Sequence, residues 1–207
     1  MSVLDTFSLD GRVAVVTGSG RGIGEAIAIG LAEAGAKIVL AARRTEEIQA
    51  VADKIKDMGG DAIAVTTDVM VLEQVTQLAE AAVAAFGSLD CWISNAGGAD
   101  DRVARTLIDV PERQWDFQLN LNLKAVWTGA QAAAKVMKDN GGGTIINISS
   151  IGGQITFPLG TLYHGTKFAV EGLSEALHFE LEPLGIRVRI VEPGMIRTNF
   201  GGSSFDF

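Results

Sequence analysis

The chain has 207 residues, of which 47% are hydrophobic and 20% charged, and its formal net charge is −8. This composition excludes wholesale disorder, and the acidic balance provides no basic surface for nucleic acid or anionic lipid. The single cysteine cannot form an internal disulfide, which excludes a secreted scaffold held together by disulfides.

Short apolar runs rich in valine and isoleucine alternate along the chain with longer segments of helical periodicity. Most of the runs are nearly continuous and show no polar alternation, which is typical of strands buried on both faces of a parallel sheet. The predicted strands are 13–17, 37–42, 62–66, 89–94, 144–149 and 187–191. The predicted helices are 23–34, 46–58, 71–86, one or two helices within 111–138, and 161–181. We therefore predict an α/β fold with a doubly wound parallel sheet of the Rossmann type, as a single domain over residues 1–207.

Glycines cluster between the first predicted strand and the first predicted helix, where residues 17–24 read Thr-Gly-Ser-Gly-Arg-Gly-Ile-Gly. Without side chains in the way, backbone N–H groups can reach a phosphate, and the positive N-terminus of the helix attracts the anion. A merely flexible turn is the alternative, but the strand–loop–helix context favours a dinucleotide site. No Lys-Ser or Lys-Thr follows the last glycine, so the loop is not a P-loop.

The spacing of this loop resembles the T-G-x-x-x-G-x-G motif of the short-chain dehydrogenase/reductase family. Thr17, Gly18, Gly22 and Gly24 stand at the matching positions, and Gly20 stands at a variable one. The resemblance implies that the loop binds a nicotinamide dinucleotide. The implied contacts in the loop are Gly18, Ser19, Arg21, Gly22, Ile23 and Gly24.

The end of the second predicted strand indicates which dinucleotide is preferred. A carboxylate here would hydrogen-bond the ribose 2′-hydroxyl of NAD, whereas an arginine accommodates the 2′-phosphate of NADP. The chain has Arg43 and Arg44 at this point and no carboxylate. Because a guanidinium matches the geometry of a phosphate, we expect NADP(H), bound by Arg43 and, as the resemblance implies, flanked by Arg21. The alternative is an ordinary solvated charge, which is the interpretation we favour for Arg44.

A second pattern follows the fifth predicted strand, which runs into Ser149 and Ser150. Tyr163 comes thirteen residues after Ser150, and Lys167 comes four residues after Tyr163. Residues four apart share one helical face, so the lysine ammonium can lower the pKa of the tyrosine and make it a usable acid or base. A surface helix is the alternative for this spacing taken alone.

The same family carries a Y-x-x-x-K motif with an upstream serine. The resemblance implies Tyr163 as the acid/base, Ser150 as the residue that orients the substrate, and Lys167 as activator of Tyr163 and ribose ligand. Ser149 is the nearby rival for the serine role, but the thirteen-residue offset favours Ser150. Asn122 matches a helix asparagine of the family, which implies that it holds a water in a proton relay. Asn120 is the close alternative.

Three further segments match motifs of the family. The resemblance implies cofactor contacts at Asp68, Val69, Asn95, Ala96, Gly97, Pro193, Gly194, Ile196 and Thr198. Structural alternatives stay open, with Asp68 as a cap of the next helix and residues 95–97 as support for the central sheet. We assign packing roles to His164, His178 and the three tryptophans. With Cys91 as the single cysteine, we expect neither a metal site nor thiol chemistry.

Together with these patterns, the resemblance implies hydride transfer between NADP(H) and a small-molecule ketone or secondary alcohol. A non-catalytic dinucleotide-binding module or redox sensor is the alternative from another class. Residues Gln154, Phe157 and Leu159 predict an apolar wall for a steroid, a fatty acyl β-ketone or an aromatic ketone, joined by residues after Gly97 and beyond Thr198.

The resemblance also implies a homodimer or homotetramer that associates through residues 115–138 and 161–181. The N-terminus has no early positive charge, and no segment approaches the roughly 18 apolar residues of a membrane span, so we expect a cytoplasmic protein. Family members usually continue past 193–198 into a helical substrate lid and a last strand. We therefore expect either that the chain lacks both, or that the sequence omits a mobile C-terminus.

Overall fold

The computed structural model describes residues 6–98 and 106–198. Six strands form one sheet in the order β3-β2-β1-β4-β5-β6, and every neighbouring pair is parallel. They are β1 (Val13–Thr17), β2 (Lys37–Ala42), β3 (Ala62–Thr66), β4 (Cys91–Ser94), β5 (Gly143–Ile148) and β6 (Ile186–Val191). The α-helices of the described residues are α1 (Gly22–Glu33), α2 (Thr45–Asp57), α3 (Leu72–Phe86), α4 (Glu112–Leu119), α5 (Ala125–Met137) and α6 (Thr161–Leu181). The predicted doubly wound α/β fold is confirmed.

The sheet is apolar on both faces because successive side chains of a strand point to opposite sides. On β1, Val13 and Val15 pack in the cluster formed with α3 and α5, which residues of α6 extend. Ala14 and Val16 pack in the opposite cluster, formed with α1 and α2. This double burial explains why the strands read as continuous apolar runs in the sequence.

The order of the strands fixes where a ligand can bind. The chain runs outward from β1 to β3 and then returns to place β4 on the other side of β1. In the register, Val16 of β1 lies between Leu40 of β2 and Ile93 of β4. The loops after β1 and β4 diverge at this switch point, which is where open parallel sheets bind ligands.

Three of the predicted strands have different bounds in the structure, and α1, α2 and α3 are each shifted by one residue at one end or both. β4 begins at Cys91, two residues later than predicted, and the carboxylate of the preceding Asp90 accepts hydrogen bonds from the Val13 N–H and from Arg12, both at 2.9 Å. β5 runs one residue earlier than predicted at both ends, and β6 begins one residue earlier. Side-chain bonds such as those of Asp90 do not follow from apolar patterning.

The predicted helical region 111–138 contains two α-helices. Between α4 and α5 lies a π-helical turn, Asn120–Lys124. Such a turn inserts one residue into the helical register and is frequent at functional sites. α5 then approaches the sheet closely at Gly129, where a Cβ would lie 2.8 Å from the indole nitrogen of the buried Trp92.

Candidate active site

A cleft of about 670 Å³ opens at the carboxyl ends of the strands, beside the switch point between β1 and β4. It brings together most of the residues that the sequence analysis singled out. The predicted residues that line it are Gly18, Arg21, Gly22, Ile23, Gly24, Arg43, Asp68, Val69, Asn95, Ala96, Gly97, Ser150, Tyr163, Lys167, Pro193, Gly194, Ile196 and Thr198. Two predicted residues, Ser19 and Asn122, do not line it.

The glycine loop requires glycine at several of its positions. Gly18 and Gly22 have φ angles of +65° and +59°, which other residues rarely adopt. A Cβ at Gly24 would overlap the carbonyl oxygen of Gly18. The N-cap residue of α1, Arg21, makes no side-chain hydrogen bond to the first turn of the helix, and Gly22, Ile23 and Gly24 of that turn line the cleft. The backbone therefore fits the pyrophosphate of a dinucleotide.

Side-chain hydrogen bonds tie this loop to β4. The hydroxyl oxygen of Thr17 accepts the N–H groups of Asn95 and Ala96, each at 3.0 Å, and donates to the carbonyl of Ile93 at 3.2 Å. The Asn95 amide in turn donates to the carbonyl oxygens of Thr17 and Gly18, at 2.9 and 3.2 Å. Residues 95–97 thus support the central sheet as well as line the cleft, and both interpretations of this motif apply.

Ser19 is fully buried beneath the loop. Its hydroxyl oxygen accepts the N–H of Ala41 in β2 at 2.9 Å. The side chain therefore fixes the loop against the sheet rather than facing the cleft. Nothing in the spacing of the glycine motif distinguishes these two orientations.

Arginines surround the end of the cleft beyond β2. Arg44, for which an ordinary solvated charge was expected, is exposed and pairs with Glu47, its Nε lying 2.9 Å from the carboxylate oxygen. Arg21 and Arg43 are both exposed, and neither forms an ion pair with any of the described residues. Two guanidinium groups therefore remain available to an anion at this end.

Asp68 serves the turn before α3 while it lines the cleft. Its carboxylate accepts the N–H of Met70 at 3.0 Å, and its own N–H donates to Gln74 at 2.7 Å. Asp68 is therefore not the cap of α3, since Val71 occupies that position. It stabilises the turn before the helix instead. Asp68 and Val69 remain placed against the cleft.

The predicted catalytic residues meet at the β5 side of the cleft. Lys167 is only 6% exposed, and its Nζ donates to the carbonyl of Ile148 at 2.9 Å and lies 5.7 Å from the ring centre of Tyr163. Burial lowers the pKa of Lys167 to about 8, and the negative charge of Glu171, one helical turn further along α6, opposes that shift. The pKa of the Lys167 ammonium therefore lies only slightly above neutral pH.

Of the two adjacent serines, Ser150 is half-buried and its hydroxyl oxygen accepts the N–H of Gly152 at 3.0 Å. Ser149 also lines the cleft, but its hydroxyl oxygen is buried beside Gly153 and has no hydrogen-bond partner among the described residues. The hydroxyl proton of Ser150 is left for another acceptor, since the bond with Gly152 uses only the oxygen.

Asn122 lies in the π-helical turn, behind the cleft, and is 1% exposed. Its amide accepts the N–H of Gly98 at 2.9 Å and donates to the carbonyl of Gly98 at 2.8 Å and to Gln118 at 2.6 Å. Gly97 separates it from the ammonium, since a Cβ there would lie 3.1 Å from Asn122 Oδ1 and 3.9 Å from Lys167 Nζ. Asn120 takes no part in these bonds.

Several lining residues were not singled out by the sequence analysis. They are Ala42, Glu47, Thr67, Leu121 and Ile148. Three of them stand at or just after the carboxyl end of a strand, so the rule that ligands bind at this edge could have found them. Glu47 and Leu121 come from helices and carry no such signal.

The remaining expectations concern residues outside the cleft. Gln154, Phe157 and Leu159 are exposed on the loop after Ser150 and do not line the cleft described above. Residues 99–105, expected to continue the substrate wall, lie outside the described part of the chain. The same is true of residues 199–207, where a lid was expected to begin.

The cysteine and the acidic and histidine side chains of the described residues can be placed in the same way. Burial and the neighbouring Asp90 raise the pKa of the Cys91 thiol to about 12, so it stays protonated at neutral pH. Within residues 6–98 and 106–198, no three His, Cys, Asp or Glu side chains are grouped as metal ligands. No helix in those two ranges is both long enough and apolar enough to cross a membrane.

Comparisons with known proteins agree with this geometry. The family model described as short chain dehydrogenase matches residues 12–206. An uncharacterized oxidoreductase of Staphylococcus aureus (strain USA300) is 40% identical over 191 residues, which are 92% of this chain and 80% of the relative. A short-chain type dehydrogenase/reductase from Mycobacterium marinum has 38% identity and a TM-score of 0.91, over 96% of this chain and 78% of that structure.

A third similar protein is a 7α-hydroxysteroid dehydrogenase, solved in complex with NADH and 7-oxo glycochenodeoxycholic acid. It has 33% identity and a TM-score of 0.90, over 96% of this chain and 76% of that structure. Proteins of this family use a nicotinamide cofactor, NAD(H) or NADP(H), and act on small molecules. The chain therefore belongs to the short-chain dehydrogenase/reductase family of oxidoreductases.

Proposed function

We propose that the protein is an NADP(H)-dependent carbonyl reductase or alcohol dehydrogenase, with Tyr163 as its acid/base. The observation that supports this most directly is that Ser150, Tyr163 and Lys167 line the same cleft as the glycine loop. A dinucleotide-binding module without catalysis would not need these three groups beside its binding site.

The bound nicotinamide would supply or accept the hydride, and the protein handles the proton and the orientation of the substrate. In the reducing direction, Tyr163 gives its phenolic proton to the carbonyl oxygen. Ser150 donates its hydroxyl proton to the same oxygen, because its own oxygen is occupied by the N–H of Gly152. Lys167 stabilises the resulting phenolate by its charge. Asn122 supports Gly98 behind the cleft, because its side-chain amide is bonded to Gly98 and Gln118; its role in holding the water of the proton relay stays a prediction from the resemblance.

The activity can be tested by following the loss of reduced-nicotinamide absorbance with NADPH and a panel of ketones. The panel contains a ketosteroid, a β-ketoacyl thioester and acetophenone, which represent the three classes that fit an apolar wall. We expect turnover of at least one of them. Tight binding of NADPH without turnover of any ketone or of the matching alcohols would favour the non-catalytic module.

Arg43 provides a direct test of cofactor preference. We expect Arg43→Ala to weaken NADPH binding by about 10- to 100-fold, the value of a charge-assisted hydrogen bond to phosphate, and to change NADH binding by less than about threefold. Arg44→Ala is the matched control and should have a smaller effect, because Arg44 already pairs with Glu47. Fluorescence titration with each reduced cofactor measures both. Equal affinity of the native protein for NADH and NADPH would overturn the assignment.

The pKa of Lys167 predicts how cofactor use depends on pH. Because the charged ammonium is the form proposed to bind the ribose and activate Tyr163, we expect kcat/KM for NADPH to fall as pH rises through about 8. Glu171 raises the pKa of Lys167, so Glu171→Gln should move this fall to lower pH. Glu175→Gln, exposed on the same helix, should leave it in place. An unchanged profile in Glu171→Gln would contradict the assignment of the fall to Lys167.

We further propose that residues 1–207 form one domain in a cytoplasmic homodimer or homotetramer. The exposed aromatic side chains of α4, α5 and α6 support association between copies; they are Trp115, Trp127, Phe168 and Phe179, at 56%, 44%, 45% and 66% exposure. Light scattering on the purified protein tests this, and a monomeric mass at micromolar concentration would contradict it.

A further inference from the structure

His164 follows Tyr163 on α6, yet its ring points into the loop between β5 and α6 rather than into the cleft. It is 7% exposed, and both ring nitrogens have partners. Nδ1 lies 2.8 Å from the carbonyl oxygen of Gly152, and Nε2 lies 3.0 Å from the N–H of Phe157. The packing role expected for this histidine is therefore only part of what it does.

The two partners assign the protonation state of the ring. The Phe157 N–H can only donate, so Nε2 must accept with its lone pair. The Gly152 carbonyl can only accept, so Nδ1 must carry the proton. The imidazole is therefore neutral and held as the Nδ1–H tautomer, since a proton on Nε2 would set two donors against each other.

The loop closes around the ring at both of its ends. A Cβ at Gly152 would lie 2.9 Å from Nδ1 of His164, and a Cβ at Gly160 would lie 2.6 Å from its Cδ2. Between these glycines, Leu159 has a φ of +66°, a left-handed conformation that persists only where the surroundings hold it. These contacts fix the position of the His164 ring, and residues 152–160 pack around it.

The two hydrogen bonds of the His164 ring hold two different parts of the loop that follows Ser150. Gly152 receives the Nδ1 proton at its carbonyl and gives its own N–H to the hydroxyl oxygen of Ser150 at 3.0 Å. Phe157 is bound at its N–H, and its side chain is 51% exposed beside Ile155 and Leu159, which are 47% and 55% exposed. One bond therefore bears on the turn that holds Ser150, and the other on the backbone of a loop segment with exposed apolar side chains outside the cleft lining.

We propose that His164 is a positioning residue with two separable tasks in the reaction proposed above. As the neutral Nδ1–H tautomer, it orients Ser150 through Gly152. Through Phe157, it holds the apolar surface of Ile155, Phe157 and Leu159 against the hydrocarbon part of an apolar carbonyl substrate.

The two tasks can be separated by a pair of conservative substitutions. The amide nitrogen of His164→Asn can take the place of Nδ1 and keep the bond to Gly152, but it cannot reach Phe157. The carbonyl oxygen of His164→Gln can take the place of Nε2 and keep the bond to Phe157, but it loses Gly152. With the ketone of the panel that is reduced fastest, we expect His164→Asn to raise KM about fivefold at nearly unchanged kcat. We expect His164→Gln to lower kcat about fivefold at nearly unchanged KM.

Two measurements keep this test separate from the test of the catalytic proposal. Long-range ¹H–¹⁵N spectra of the native protein report the tautomer directly, and with two histidines in the chain His178→Asn completes the assignment and serves as the matched control. Amide exchange should show the Phe157 N–H deprotected in His164→Asn. In His164→Gln the bond lost is at the Gly152 carbonyl, and the Gly152 N–H should become deprotected because its own bond to the Ser150 hydroxyl oxygen loosens with the turn. An Nε2–H tautomer, or equal changes of kcat and KM in both variants, would overturn the inference. The absence of any ketone turnover would instead count against the proposed function, and the tautomer and exchange results would still decide this inference.

Discussion

Replacing Tyr163 by phenylalanine should lower turnover by about 10²- to 10⁴-fold, the usual contribution of a positioned acid or base, while NADPH binding stays within about threefold. The substitution removes only the phenolic oxygen. The ring keeps its edge contact with His164, at 5.9 Å between ring centres, and its place beside the ammonium of Lys167. Loss of activity can therefore be attributed to the missing proton donor rather than to a changed cleft.

This experiment has an internal spectroscopic control, because Tyr163 is the only tyrosine of the chain. Phenolate absorbance of the native protein follows the ionisation of this one residue, and the signal should be absent from Tyr163→Phe. Cofactor titration of both proteins checks that binding is retained. Activity of Tyr163→Phe comparable with that of the native protein would refute Tyr163 as the acid/base.

Replacing Lys167 by methionine should abolish most of the activity and, at neutral pH, make the fold more stable. Burial lowers the pKa of Lys167 from 10.5 to about 8. A shift of this size means that the charged group costs the folded state roughly 3 kcal/mol, since one pKa unit is worth about 1.4 kcal/mol. The lost hydrogen bond to Ile148 offsets about 1 kcal/mol of this, which leaves a net gain of about 1–2 kcal/mol.

The sign of this effect depends on pH in a defined way. Below pH 8 the lysine is protonated in both the folded and unfolded states, so the full cost of burying the charge is present. Between pH 8 and about 10.5 the folded protein has released the proton that the unfolded chain still binds, so the native protein becomes relatively more stable. The advantage of Lys167→Met should therefore shrink over this range.

Urea unfolding at pH 7 and at pH 10 measures this difference. Lys135→Met, at an exposed position on α5, is the control and should show no gain that depends on pH. Lower stability of Lys167→Met at pH 7 would show that the buried ammonium is not a cost to the fold. Activity losses of about 100-fold or more are expected alongside, because the phenolate of Tyr163 would lose its neighbouring charge.

The sequence predicted the order of elements well because burial on both faces leaves an unmistakable pattern in parallel strands. Residues such as Val13–Thr17 and Lys37–Ala42 are apolar at nearly every position, and their bounds agree with the structure. The cleft was equally accessible to prediction, since the carboxyl ends of parallel strands must meet at one edge. The placement of Gly24 and Lys167 at the cleft follows from the local spacing of their two sequence motifs alone.

Contacts between distant segments could not be read in this way. The orientation of Ser19 depends on the N–H of Ala41, and the position of Asn122 depends on Gly98, 24 residues before it. The π-helical turn that contains Asn122 cannot be recognised from the periodicity of 3.6 residues by which helices are predicted. His164 was assigned to packing because nothing near it in the sequence indicates that the backbone of residues 152 and 157 meets both of its ring nitrogens.

Thr17 holds its loop through partners that lie 78 and 79 residues further along the chain. A fragment that ended before residue 95 would contain every residue of the glycine motif but none of its hydrogen bonds with Asn95 and Ala96. The glycine motif is complete in the sequence at residue 24, but its folded form requires the chain as far as residue 96. The cofactor loop is complete only when the second half of the sheet has been added to the first.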